Sequence, residues 1–141
     1  MFRKSKRVRR GFTLIELMLV LVILGVLAGV VVPKLIGSAE KSKVTAANSA
    51  VKVLSGQLNT FYMHCKRFPT SEEGLNALVT KPSDADGWAG PYLEPNNLKD
   101  PWDMPYHYVY PGTHNSDGFD VYSSGPDKLD NTSDDIGNWT K

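Results

Sequence analysis

Gly11-Phe12-Thr13-Leu14-Ile15-Glu16 and the apolar run that follows it decide how this 141-residue chain is organised. From Phe12 to Val32 there are 21 residues, and Glu16 is the only charged one among them. A helix of that length rises roughly 30 Å, which is the thickness of the hydrocarbon core of a bilayer. Lysine and arginine residues precede it at positions 3, 4, 6, 7, 9 and 10. Because such residues stay in the cytoplasm, the pattern predicts a single span with a cytoplasmic N-terminus.

Glu16 does not suit a simple membrane anchor. A carboxylate at mid-membrane costs about 2.5–3.5 kcal/mol. Its neighbours one helical turn away, at positions 13, 19 and 20, are threonine, leucine and valine, which cannot neutralise it. An acidic residue in such a segment therefore indicates a functional site whose positive partner lies outside this helix.

A basic leader, then Gly11-Phe12-Thr13-Leu14-Ile15-Glu16-Leu17, then an apolar run resembles the class III signal peptide of type IV pilins and type II secretion pseudopilins. The resemblance implies that a prepilin peptidase cuts between Gly11 and Phe12 and methylates the new amine of Phe12. Residues 1–11 would be the cleaved leader, residues 12–37 a transmembrane and assembly helix, and residues 38–141 a periplasmic head domain. Glu16 would neutralise the Phe12 amine of a neighbouring subunit, which offsets the burial of both charges.

Two other export signals share part of this pattern. Arg9-Arg10 before Gly11 is compatible with a twin-arginine signal. An ordinary secretory signal has an apolar region of about 7–15 residues and a small-residue cleavage site. The run here is longer, contains Glu16 and ends in Val30-Val31-Val32-Pro33, so the prepilin interpretation is favoured over both.

Charge and cysteine content restrict the possible functions. Removing residues 1–11 lowers the lysine and arginine count from 16 to 10 against 15 acidic residues, a net charge of about −5, which argues against nucleic acid as a partner. Cys65 is the sole cysteine, so no intramolecular disulfide can form. Beside His64 it could suggest a nucleophile pair. Adjacent helical residues point in different directions, however, so a packed, unreactive thiol is favoured.

The helix is predicted to continue beyond Pro33 to about Lys66, and the sequence leaves open whether it bends or melts at the proline. Apolar residues then recur alternately every three and four positions: Val44, Ala47, Val51, Leu54, Leu58, Phe61 and Cys65. A coiled coil would give the same pattern. Three heptads without flanking Glu/Lys pairs favour packing onto a sheet of the same subunit.

After Phe68-Pro69, the residues Thr70-Ser71-Glu72-Glu73 predict a capping box for a short helix over residues 74–78. This segment resembles the major pseudopilins of type II secretion, as does Asp100-Pro101-Trp102-Asp103-Met104-Pro105-Tyr106. Asp103 replaces a glycine of that group, and aspartate tolerates a positive φ better than most residues.

The rest of the head is predicted to be a small antiparallel sheet with a loop-rich C-terminal region, which gives an α+β fold with the long N-terminal helix. Trp88 and Trp102 are expected to pin the loop 82–105 onto the core. Alternation over 106–110 and 119–123 predicts a strand pair. His107 and His114 are better explained as strand and turn residues than as metal ligands.

Four carboxylates lie in the loop that follows, with only Lys128 among them: Asp127, Asp130, Asp134 and Asp135. A solvated turn would explain them, and so would calcium, which takes six to eight oxygen ligands; composition favours neither. The spacing is not that of an EF-hand. Ile136 and Trp139 suggest that the chain then returns to the core.

The flanks of this loop, Ser123-Ser124-Gly125-Pro126-Asp127 and Asp134-Asp135-Ile136-Gly137-Asn138-Trp139, resemble the calcium loop of major pseudopilins. The resemblance implies that a calcium ion is bound by side-chain oxygens of Asp127 and one or both of Asp134 and Asp135. The backbone carbonyls of Ser124 and Leu129 would complete the set. Asp130 has no counterpart and is expected to face water.

Over the full chain, the resemblance implies a non-enzymatic, structural subunit of the type II secretion pseudopilus in the bacterial inner membrane. It would polymerise through its N-terminal helix into a periplasmic homo-oligomeric fibre that helps export folded proteins. The implied partners are prepilin peptidase, minor pseudopilins, inner-membrane secretion components and membrane lipid. One alternative is a type IV pilin for adhesion or DNA uptake, which the lack of a C-terminal disulfide loop disfavours. The other is a membrane-tethered periplasmic enzyme, but the sequence has no nucleophile–base pair or phosphate loop.

Overall fold

The computed structural model describes residues 11–140, apart from the side chains of residues 30–36. The leader predicted over residues 1–10 lies outside the described part, and the possible bend at Pro33 falls on the stretch 30–36. The described residues form two compact units that divide between Ser38 and Ala39. The buried hydrophobic core belongs to the second unit.

Helix α1 (Leu14–Cys65) is the long helix that the sequence predicts. In the first unit, the large apolar side chains from Phe12 to Leu27 expose between 43 and 81% of their surface. The predicted span extends into residues 30–36. Within the side chains that are described, no helical stretch meets the length and hydropathy needed to traverse a bilayer.

The second half of α1 carries the predicted apolar stripe. Ala47, Val51, Leu54, Leu58 and Phe61 are buried, and the two ends of the stripe are partly buried. They share one core with residues from the rest of the head: Leu75, Ala77, Leu78, Trp102, Tyr106, Phe119, Val121 and Ile136. Each large apolar side chain buried in this way contributes about 1.5–3 kcal/mol. Packing within one subunit is therefore confirmed.

Two short 3₁₀ helices follow α1, Gly74–Leu78 and Pro95–Leu98; the sequence predicted the first but not the second. The capping box before the first is confirmed. The Thr70 hydroxyl accepts from the Glu73 amide at 3.2 Å, and the Glu73 carboxylate accepts from the Thr70 amide at 2.8 Å. Arg67 ties this turn to the helix end through two hydrogen bonds to Glu73.

The sheet has three antiparallel strands in the order β1 (His107–Val109), β2 (Asp120–Ser123) and β3 (Ile136–Gly137). Tyr108 pairs with Val121, and Ser123 pairs with Ile136. The predicted strand pair is confirmed, and β3 is the return of the chain to the core after the acidic loop.

Both loop tryptophans anchor their segments, as predicted. The Trp88 indole donates to the Ala77 carbonyl at 2.9 Å, and the Trp102 indole donates to the Glu40 carboxylate at 3.0 Å. Asp103 has a φ of 66°, so aspartate does occupy a left-handed position where the resembling group has glycine.

Candidate functional site

Thr13 fixes the point at which α1 begins. Its hydroxyl accepts from the Glu16 amide at 3.3 Å, and its carbonyl accepts from the Leu17 amide at 3.2 Å. The predicted cleavage bond between Gly11 and Phe12 therefore lies in non-helical chain, just before this cap. This cap was not predicted from the sequence, although the pattern Thr-x-x-Glu is a signal for it.

Glu16 is exposed in the first turn of α1. Among the residues that the structure describes, no hydrogen bond or ion pair reaches this carboxylate, although the Glu16 amide is capped. Phe12 is 81% exposed. Both residues are thus free to meet a partner molecule.

The acidic loop, residues 124–135, folds back on itself. Three of its residues have positive φ: Gly125 at 70°, Lys128 at 61° and Asn131 at 64°. The Asp127 carboxylate accepts from the Leu129 amide at 2.8 Å, and the Asp134 carboxylate accepts from the Asp127 amide at 3.2 Å. These turns bring the two ends of the loop together.

Thr132 and a backbone amide hold the carboxylates of Asp134 and Asp135. The Thr132 hydroxyl donates to Asp134 at 2.6 Å and lies 3.3 Å from Asp135, which also accepts from the Asn131 amide at 2.9 Å. The bond from Thr132 lowers the pKa of Asp134 below its ordinary value, despite an opposing desolvation effect. Asp134 is therefore ionised at neutral pH.

The predicted metal ligands thus share one loop. They offer only oxygen atoms, which suits calcium, and Gly125 packs so closely on Asp134 that an added Cβ would lie 2.6 Å from its carbonyl oxygen. The Leu129 carbonyl oxygen lies 3.2 Å from the Thr132 hydroxyl. In residues 11–140, no group of three or more His, Cys, Asp or Glu residues lies close enough to hold a metal ion. The donor types fit calcium, but the ligand set is not gathered.

Asp130 is exposed, as expected, but it is not simply solvated. The Ser124 hydroxyl donates to its carboxylate at 2.6 Å, and His107 Nε2 lies 3.0 Å from Ser124 Oγ and 3.3 Å from Asp130. This trio is not arranged as a catalytic triad. The serine donates to the carboxylate instead of the imidazole, and Ser124 is only 1% exposed.

His114 and His64 occupy separate environments. His114 stacks on Trp139 with ring centroids 3.9 Å apart, and its Nδ1 lies 3.2 Å from the buried Asp120 carboxylate. His64 Nδ1 lies 2.9 Å from the Tyr92 hydroxyl. Burial raises the pKa of the neighbouring Cys65 thiol, so that thiol is a poor nucleophile.

The fold defines the class of protein. Its helix packed against a small three-stranded antiparallel sheet is an α+β fold that matches a pseudopilin of known structure. The crystal structure of the major pseudopilin from the type 2 secretion system of enterohaemorrhagic Escherichia coli matches with a TM-score of 0.65 and 33% identity. The match covers 74% of this chain and 89% of that chain.

The sequence comparisons specify the family. Residues 34–139 match the family described as type II secretion system (T2SS), protein G, and residues 6–32 match the prokaryotic N-terminal methylation motif. The chain belongs to the protein G family of type II secretion systems. The motif implies processing by a prepilin peptidase.

Curated relatives agree over nearly the whole chain. The type II secretion system core protein G of Dickeya chrysanthemi is 44% identical, over 95% of this chain and 88% of the relative. The relative from Klebsiella pneumoniae is 44% identical, over 94% and 95%, and that from Pseudomonas aeruginosa is 40% identical, over 96% and 98%. The chain is therefore a structural pseudopilus subunit of a membrane-associated class and not an enzyme.

Proposed function

We propose that this chain is inserted into the bacterial inner membrane as a single-span precursor with a cytoplasmic N-terminus and a periplasmic head. It is cut between Gly11 and Phe12, methylated at Phe12 and stacked through its N-terminal helix into a periplasmic fibre. The fibre, together with minor pseudopilins and inner-membrane secretion components, helps export folded proteins across the outer membrane.

The exposed apolar segment Phe12–Leu27 is the observation that supports this proposal. Its large side chains are exposed all round the helix, so no single face is set aside for water. A continuous apolar surface of this kind is stable only when lipid or other apolar helices cover it. Lipid serves that purpose before assembly, and sister helices serve it within a fibre.

Glu16 sets the axial register of this stacking. Its carboxylate has no described partner, and cleavage creates a positive amine at Phe12 on every subunit. A contact between the carboxylate of one subunit and the amine of the next neutralises both charges as they leave the membrane interface.

The variant Glu16→Ala tests this pairing. We expect normal cleavage, because the scissile bond and the Thr13 cap are unchanged, but a strong loss of fibres. Mass spectrometry of the N-terminus reports cleavage and methylation, and sheared-fibre yield reports assembly. Glu72→Ala, which removes an exposed carboxylate of the head, is the matched control. A normal fibre yield from Glu16→Ala would refute the charge pairing.

We also propose that the acidic loop binds one calcium ion. Asp127 and one or both of Asp134 and Asp135 would supply side-chain oxygens, with carbonyls from Ser124 and Leu129. The fold-back that places Asp134 on the Asp127 amide supports this, as does the excess of negative charge around Lys128. The ion would neutralise that charge and hold the two ends of the loop together.

Thermal unfolding of the protein with calcium and then with chelator tests the site. Calcium at a hundredfold over its dissociation constant adds about 2.7 kcal/mol, which raises the midpoint by on the order of 10 °C. The shift should disappear in Asp127→Ala and persist in Asp117→Ala, which alters an exposed aspartate of a different turn. An equal shift in all three proteins, or no shift in the wild type, would refute the calcium site, and the loop would then be a solvated acidic turn.

A further inference from the structure

Asp100 is a buried carboxylate that the functions above do not use. It is 6% exposed, and no described lysine, arginine or histidine pairs with it. One of its oxygens accepts from the amides of Trp102 and Met104, each at 2.9 Å. The other accepts from the Ser123 hydroxyl at 2.5 Å. A buried polar side chain is tolerated only where hydrogen bonds satisfy it, and these three do so.

Ser123 carries this contact to the start of the acidic loop. It is fully buried at the end of β2, and its hydroxyl oxygen accepts from the Gly125 amide at 3.1 Å. The hydroxyl therefore donates to Asp100 and accepts from Gly125, which leaves it no freedom to rotate. Gly125 is the first residue of the loop with a positive φ, so its orientation sets the direction in which the loop leaves the sheet.

Gly125 in turn packs against a candidate calcium ligand. A Cβ at this position would lie 2.6 Å from the Asp134 carbonyl oxygen and 2.9 Å from its carboxylate. The same carboxylate accepts from the Asp127 amide. An unbroken series of contacts thus runs from Asp100 through Ser123 and Gly125 to Asp134 and Asp127.

We propose that Asp100 and Ser123 are positioning residues of the calcium loop. They touch no ligand oxygen that the calcium proposal uses, and they act by fixing Gly125 so that the Asp134 carboxylate stays on the Asp127 amide. This inference rests on the proposed calcium site. Removing residues that hold metal ligands in place without binding the metal usually lowers the metal affinity 10- to 100-fold.

Titration of the full-length protein in detergent with calcium chloride, followed by calorimetry, tests the proposal. Ser123→Ala removes the hydroxyl and should raise the dissociation constant for calcium about 10- to 100-fold. Ser123→Thr keeps the hydroxyl and should restore most of the affinity. Asp117→Asn alters an exposed carboxylate of the turn before β2, outside the acidic loop, and should bind like the wild type.

A second measurement separates positioning from loss of fold. In chelator, hydrogen exchange of the amides of Gly125 and of residues 127–135 should be faster in Ser123→Ala, while the amides of α1 from Ala47 to Phe61 exchange as in the wild type. Asp100→Asn serves as the second variant, because its remaining oxygen can still accept from the Trp102 and Met104 amides. It should reproduce both effects of Ser123→Ala.

The outcomes are distinguishable. A wild-type protein that binds no calcium in the titration refutes the calcium site, and the positioning role falls with it. A wild type that binds calcium, together with unchanged affinity and unchanged loop exchange in Ser123→Ala and Asp100→Asn, refutes the positioning role alone. Faster exchange throughout α1 in both variants would also refute it, because the residues would then support the whole head.

Discussion

Asp120 provides the most direct test of how the head is held together. Its carboxylate is only 2% exposed and accepts from the His114 amide at 2.7 Å. It also accepts from the Asn115 amide at 3.0 Å and from the Asn115 side chain at 2.9 Å. Burial raises the pKa of this carboxyl, but the hydrogen bonds together outweigh burial, so its pKa lies below the ordinary value.

The variant Asp120→Asn should destabilise the head by about 3 kcal/mol. The amide group replaces one accepting oxygen, so two donors that now point at Asp120 lose their acceptor. Hydrogen bonds to a charged group contribute about 1.5–3 kcal/mol each, and part of this is recovered by rearrangement. Urea unfolding of a fragment from Ser38 onward measures the difference, since the buried hydrophobic core lies within that fragment.

The pH dependence of the stability shows how the charge of Asp120 contributes. Because the folded pKa is lowered, the carboxylate stabilises the head above its unfolded pKa of about 3.9, and this contribution is lost as the pH falls through the folded value. The gap between wild type and Asp120→Asn should therefore shrink below about pH 4. Asp117→Asn, which alters an exposed carboxylate of the turn before β2, should stay within about 0.5 kcal/mol of the wild type. A gap under 0.5 kcal/mol at pH 7, or one that does not change with pH, would refute this account of Asp120.

Two further substitutions test local contacts. Glu73→Gln weakens the two hydrogen bonds that Arg67 donates, which lower the pKa of Glu73. We expect the free energy of unfolding to fall by about 1 kcal/mol at pH 7, and this loss should disappear below about pH 4. Thermal melting measures the loss, with Glu72→Gln as the control. Gly137→Ala places a Cβ 2.3 to 2.5 Å from the Trp139 ring, so the indole must move. We expect the free energy of unfolding to fall by about 1–3 kcal/mol and the tryptophan fluorescence to shift. Gly56→Ala, on open helix surface, should instead be neutral or stabilising, and equal losses from both glycine variants would contradict the contact with Trp139.

The helix and the strand pair could be predicted because their signals are local. The stripe that contains Ala47, Leu54 and Phe61 has the period of a helix, and the residues around Tyr108 and Val121 alternate as strands do. The capping box at Thr70 depends on a spacing of three residues, which the sequence displays directly.

The supports of the acidic loop could not be predicted in the same way. Ser123 meets Asp100 across 23 positions of sequence, and this contact depends on how the turn 100–106 lies against β2. The partnership of Asp130 with His107 likewise depends on strand register. Strand β3 has only two residues, too few to show alternation, and its position follows from its pairing with β2.

The cap at Thr13 is a different case, because its signal was present in the sequence. The surrounding run is strongly apolar and was therefore interpreted by its hydropathy alone. The threonine within it was not considered as a helix cap. Its side chain nevertheless decides where the helix begins and thus which peptide bond stays accessible. Local capping rules therefore apply to apolar helices as well as to soluble ones.

The partly buried thiol of Cys65 has a practical consequence for studying this protein. Thiol-reactive reagents attack the thiolate, and a raised pKa leaves little of that form at neutral pH. Because the chain has no second cysteine, the native protein offers a low background for site-directed labelling. A spin label or fluorophore attached to an introduced cysteine at Leu129, which is 62% exposed, would therefore follow the loop tip in a subunit or in a growing fibre.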